Sequence, residues 1–127
     1  MSSDKLIYLI CAEPGERESL GAYLTRHEFN FRLFDSIVSA QQAIEAEPPT
    51  LIVLAASTIP SPEICRFGAY VEQHCPAPII ALLTKLQMSI VSEMAESENL
   101  WTAEYPISLR EIRASIVEAL QELSGQT

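Results

Sequence analysis

Glycine is scarce in this chain. Only Gly15, Gly21, Gly68 and Gly125 occur among 127 residues, so neither a G-x-G-x-x-G turn nor a P-loop can be written, and nucleotide binding by those routes is excluded. Basic residues are also few. Eight Lys and Arg stand against 17 Asp and Glu, a net charge of −9, and a field of that sign repels nucleic-acid backbones and anionic lipid. Neither nucleic acid nor a membrane is expected as a partner. No apolar run approaches the ~20 residues of a transmembrane helix, and the start, Met-Ser-Ser-Asp-Lys, lacks the basic-then-apolar order of a signal peptide. The expected location is cytoplasmic. Cys11, Cys65 and Cys75 are odd in number, far apart and set in apolar segments, which suits reduced core thiols better than a disulfide framework. Cys65 and Cys75 have no C-x-x-C partner, and His74-Cys75 is not a zinc spacing, so no metal or other cofactor is expected. His27 and His74 fall near helix carboxyl ends, where the dipole favours a protonated imidazole, rather than in a nucleophile-base arrangement. No enzymatic chemistry is expected.

The residues that are present describe a packed α/β domain. With 48% apolar and 20% charged residues, the chain reads as one globular domain over 1–127 with short tails at 1–4 and 125–127. Apolar runs of strand length alternate five times with stretches of helical period, an order that implies a parallel sheet with helices on both faces. The predicted strands are 5–11, 29–34, 51–56, 78–83 and 100–104. The first and third are continuous apolar runs, as suits strands buried on both faces, whereas the second alternates Phe29, Phe31 and Leu33 with Asn30 and Arg32 and reads as an edge.

Helix signals fill the gaps between these runs. Pro14 suits a first helical position ahead of Leu20, Tyr23, Leu24 and His27. Asp35 or Ser36 can cap a second helix carrying Ile37, Ala40, Ala43 and Ile44, which Pro48-Pro49 terminates. Ser61-Pro62 reads as a capping residue followed by proline, opening a third helix with Ile64, Phe67, Val71 and Cys75 inward. Thr84-x-x-Gln87 and Ser108-x-x-Glu111 are capping boxes for the last two helices, the final one ending at Ser124-Gly125.

Five such units, with Glu13-Pro14 after the first strand, Pro49-x-Leu-Ile-Val-Leu in the third and Tyr105-Pro106 before the last helix, resemble the response-regulator receiver domain. The resemblance implies a doubly wound, flavodoxin-like sheet in the order 2-1-3-4-5, with a phosphorylation pocket at the carboxyl ends of its strands. It also implies two acids after the first strand to hold Mg²⁺, a phosphoacceptor aspartate after the third, a hydroxyl after the fourth and a lysine before the proline after the fifth. This sequence departs at nearly every one of those positions. Cys11-Ala12-Glu13 stands where the acidic pair belongs, Ala55 (or Ala56, with a slip of one residue) where the acceptor belongs, and Tyr105 in place of the lysine. Thr84 lies one residue beyond the hydroxyl position. The only aspartates are Asp4 and Asp35, neither of them at the end of a central strand. The likeness is therefore to a degenerate pseudo-receiver, a class that binds partners without phosphorylation.

Two functions remain to be weighed. The first is docking to a protein partner, or to a second copy, through the face that receivers build from the fourth helix, fifth strand and fifth helix. Trp101, Tyr105, Pro106 and Ile107 are the candidate contacts, set against the simpler reading that Trp101 is core. The second is a small-molecule or redox sensor using the crevice around Cys11, Glu13, Ala55 and Thr84. A thiol at a strand end facing a helix amino terminus can be activated, although Glu13, Glu16 and Glu18 oppose a thiolate.

Overall fold

A computed structural model describes residues 5–124. The elements run β1 (Ile7–Cys11), α1 (Pro14–Arg26), β2 (Phe31–Phe34), α2 (Ile37–Ile44), β3 (Leu51–Ala55), α3 (Ser61–His74), β4 (Ile79–Leu83), α4 (Lys85–Met94), β5 (Leu100–Glu104) and α5 (Leu109–Ser124). The strands form one parallel sheet in the order β2-β1-β3-β4-β5. Every residue of β1, β3 and β4 is buried, because these three central strands are covered on both faces.

Alternation within the strands divides the interior into two layers. Tyr8, Ile10, Ile52, Leu54, Ile79 and Ala81 point to one side and meet Ala40 and Ile44 of α2, Ile64, Phe67 and Val71 of α3, and Val91 of α4. Ile7, Leu9, Cys11, Leu51, Val53 and Leu82 point to the other and meet Leu20 and Leu24 of α1 and Ile112 and Ile116 of α5. Each fully buried Leu or Ile contributes roughly 1.5–3 kcal/mol over its exposed state. No helix among the described residues is long and apolar enough to cross a membrane.

Two local expectations need correction. α3 is capped by Pro60, and Ser61 is its first, buried helical residue rather than its cap. The carbonyl of Pro60 accepts from the amides of Glu63 and Ile64 at 3.0 and 3.2 Å, so main chain serves this helix start without a side-chain cap. β2 begins at Phe31 rather than at residue 29, because Glu28 adopts φ 63° and the amide of Phe29 still donates to Leu24 of α1. Within β2, Leu33 stays 43% exposed over α1, whereas Phe34 turns to the opposite layer and rests against Tyr8, ring centroids 4.6 Å apart. Of the two candidate caps for α2, Ser36 accepts from the amide of Ser39 at 3.1 Å. The expected end at Gly125 lies outside the described residues.

Candidate functional site

Parallel strands bring their carboxyl ends to one edge of the sheet, and ligands of open α/β sheets bind there. Cys11 and Ala55 are register partners at the ends of β1 and β3, and Leu83 and Glu104 at the ends of β4 and β5. Between them lies a crevice of about 170 Å³ lined by Ala12, Glu13, Glu16, Ala55, Ser57, Thr58 and Tyr105. Ser57 and Thr58 were not among the residues expected here, whereas Glu16 was expected near Cys11. Glu16 sits in the first turn of α1, whereas the path of the β3-α3 loop has no sequence signal.

Most of the polar groups at this edge are already engaged. Oε1 of Glu13 accepts from the amides of Gly15 and Glu16, which makes Glu13 the cap of α1. Nη1 of Arg17 donates to the carbonyls of Cys11, at 2.9 Å, and Ala12, at 3.5 Å, and so satisfies the open end of β1. Thr84 does not line the crevice. Its hydroxyl accepts from the amide of Gln87 while the Gln87 carboxamide oxygen accepts from the amide of Thr84. Nε2 of the same Gln87 donates to the carbonyls of Ala56 and Ile59 at 2.7 and 3.0 Å, tying α4 to the loop before α3. Ala56 is fully buried.

Cys11 is 1% exposed and does not line the crevice. Its Sγ donates to Glu16 Oε1 at 3.3 Å, and burial, followed by that hydrogen bond, pushes the thiol up to about 11. Such a group is a poor nucleophile near neutrality, which counts against a redox role. Burial also raises the thiol of Cys65.

The four candidate contact residues do not form one patch. Tyr105 is half-buried, its amide donating to Leu83 at 2.6 Å and its side chain lining the crevice; its peptide bond to the exposed Pro106 is cis. Trp101 and Ile107 are half-buried against the α1/α5 layer. Trp101 also borders a separate cavity with Pro76, Pro78 and Leu123, toward the amino ends of β4 and β5. The core reading of Trp101 thus holds for part of its ring.

No protein-family model and no curated protein sequence matches this chain. Solved structures do. A CheY-like response regulator receiver domain protein from Methanospirillum hungatei JF-1 superposes with a TM-score of 0.78 at 17% identity, over 97% of this chain and 98% of that one. The signal receiver domain of an HD domain-containing protein from Pseudomonas fluorescens Pf-5 gives 0.79 at 15% identity, over 96% and 98%. A response regulator receiver protein from Sinorhizobium medicae WSM419 gives 0.77 at 14%, over 94% and 96%. Identity this low speaks to architecture alone, and on that point strand order, helix placement and near-complete coverage agree: this chain has the response regulator receiver fold.

Proposed function

We propose that the chain is a phosphorylation-independent signalling domain that acts by docking to a protein partner. The observation that carries this reading is Ala55. It ends β3 beside Cys11, 6% exposed, with only a methyl group turned to the crevice where a receiver of this fold would present its acceptor carboxylate. Glu13 and Glu16 are the carboxylates lining the crevice, and the first is spent on capping α1. Among the described residues no group of three or more His, Cys, Asp or Glu is placed to hold a metal ion together. Output then depends on a partner's differential affinity for the domain's conformations rather than on a covalent switch. The face built from α4, β5 and α5 is the proposed meeting point, for another protein or for a second copy, with Tyr105, Pro106 and Ile107 as its contacts at the strand-end side and Trp101 set apart from them. A cytoplasmic setting suits such a role.

The test is incubation with Mg²⁺ and acetyl phosphate, followed by intact-mass measurement. An unchanged mass is expected. An acid-labile gain of one phosphoryl group would end the proposal.

A second reading, small-molecule sensing, is favoured by one observation. A cavity of about 440 Å³ opens between α2 and α3 beside the crevice, walled by Ile37, Val38, Ile59 and Phe67, and falls within the size range of ligand sites. Enhanced anilinonaphthalene sulfonate fluorescence with the folded protein, lost in Val38→Glu, would support it; no enhancement would remove it.

A further inference from the structure

The exposed side of α4 carries an apolar stripe. Leu86, Ile90 and Met94 are spaced four residues apart on one face and are 72%, 37% and 44% exposed. Met88, Val91 and Ala95 turn inward to the sheet instead. Two contacts at the start of the helix fix its orientation. Lys85 reaches Glu104 of β5, at 3.9 Å, whereas Gln87 reaches the opposite way to the carbonyls before α3. At about 3.6 residues per turn, Leu86, Ile90 and Met94 fall on the Gln87 side. The stripe therefore lies on the α3 side of α4, turned away from β5 and α5, whereas the contacts named above lie on β5 and the turn that follows it.

The charges around the end of α4 are all of one sign. Glu93 stands in its last turn with no basic residue, Glu96 and Glu98 follow, and Glu72 of α3 accepts from the amide of Glu98 at 3.1 Å. The helix dipole opposes carboxylates at a carboxyl terminus. Among the described residues the ion pairs are Arg32–Glu47 and Lys85–Glu104, so these four carboxylates are left without a cation.

We propose that this surface docks a basic amphipathic helix of a protein partner, whose apolar side chains cover Leu86, Ile90 and Met94 while its Lys and Arg meet Glu72, Glu93, Glu96 and Glu98. Charge selects that occupant over a second copy. Two copies would each bring a net charge of −9 and the same carboxylates to the contact. An amphipathic partner helix presents its own apolar side chains about one turn apart, a repeat that matches the stripe.

The experiment measures fluorescence anisotropy of a labelled synthetic helix built from the repeat Leu-Lys-Lys-Leu-Leu-Lys-Leu, titrated with the full chain. A scrambled peptide of the same composition and an analogue with Glu for Lys serve as controls. Saturable binding of the basic helix is expected, weakened about tenfold by Ile90→Ser and again by the pair Glu93→Lys and Glu96→Lys, with circular dichroism unchanged in each variant. Tyr105→Ala is expected to bind normally, which separates this surface from the contacts on β5 and the turn that follows it. Equal binding of the scrambled peptide, or no effect of Ile90→Ser, would overturn the proposal by reducing the interaction to bulk attraction. Self-association of the chain in sedimentation, abolished by Ile90→Ser, would also overturn it by giving the stripe to a second copy.

Discussion

At the scale of single residues, two substitutions probe the strand-end crevice. The thiol of Cys11 is held up to about 11 from its ordinary 9.0, first by burial and then by its hydrogen bond to Glu16. Because the unfolded chain gives up this proton first as pH rises, the contribution to stability is complete below about pH 9 and declines between the two values. Denaturant midpoints measured across that window should fall more steeply for the native chain than for Cys11→Ala. Alkylation of Cys11 at neutral pH should be slow in the folded protein and ordinary after unfolding; rapid native labelling would contradict the burial seen here. Ala55→Asp would set a carboxylate in an enclosed site beside Glu13 and Glu16. The expected loss is about 3 kcal/mol by urea unfolding at pH 7, shrinking as the pH falls and the new group takes up a proton. Gain of phosphoryl transfer by Ala55→Asp alone is not expected, since Arg17 serves the carbonyls of β1 and Tyr105 stands where the family places lysine. These residues were legible because identity at a strand end decides the chemistry directly. Ser57 and Thr58 were not, since a loop's path depends on what it packs against.

At the scale of elements, α4 depends on a polar bracket rather than on extensive burial. Only Val91 of this helix is buried, while Thr84 and Gln87 cap each other and Gln87 also bridges to Ala56 and Ile59. Thr84→Ala should cost about 1 kcal/mol. Gln87→Ala should cost about 1–2 kcal/mol, since it removes a cap and two hydrogen bonds to the neighbouring loop. The double variant should lose less than the sum, as both residues belong to one box; strict additivity in a thermodynamic cycle would show that the box contributes nothing as a unit. The Thr-x-x-Gln spacing announced this cap in advance, and likewise Ser108 with Glu111, whose reciprocal bonds are 3.1 and 3.2 Å. Ser61-Pro62 misled because Pro60 precedes it, and a carbonyl can start a helix without a side-chain acceptor. The extent of β2 was overread for a related reason: Phe29 is apolar, yet its amide belongs to the closing turn of α1.

For the molecule as a whole, charge is the dominant variable. A net charge of −9 on 127 residues means that compaction works against self-repulsion, which added salt screens over about 10 Å at 0.1 M. The thermal midpoint should rise by a few degrees as sodium chloride is increased from low to physiological strength. A flat response would mean that the carboxylates are already compensated locally, contrary to the absence of basic partners around Glu93, Glu96 and Glu98 among the described residues. The same imbalance gives the proposed partner helix its sign, and both effects should fade together with ionic strength.

The order of residues alone determined the five βα units and the parallel sheet. It also determined that no aspartate ends a central strand, since hydrophobic period, capping pairs and residue identity are all local properties. Tertiary structure decided the rest. It enclosed Cys11 against Glu16, withdrew Thr84 from the crevice and sent Trp101 and Tyr105 to different cavities. It also left Leu86, Ile90 and Met94 uncovered beside α3. Which side chains converge, and which apolar faces stay open, depends on how distant segments pack. That information lies in contacts between elements and is absent from the pattern within any one of them.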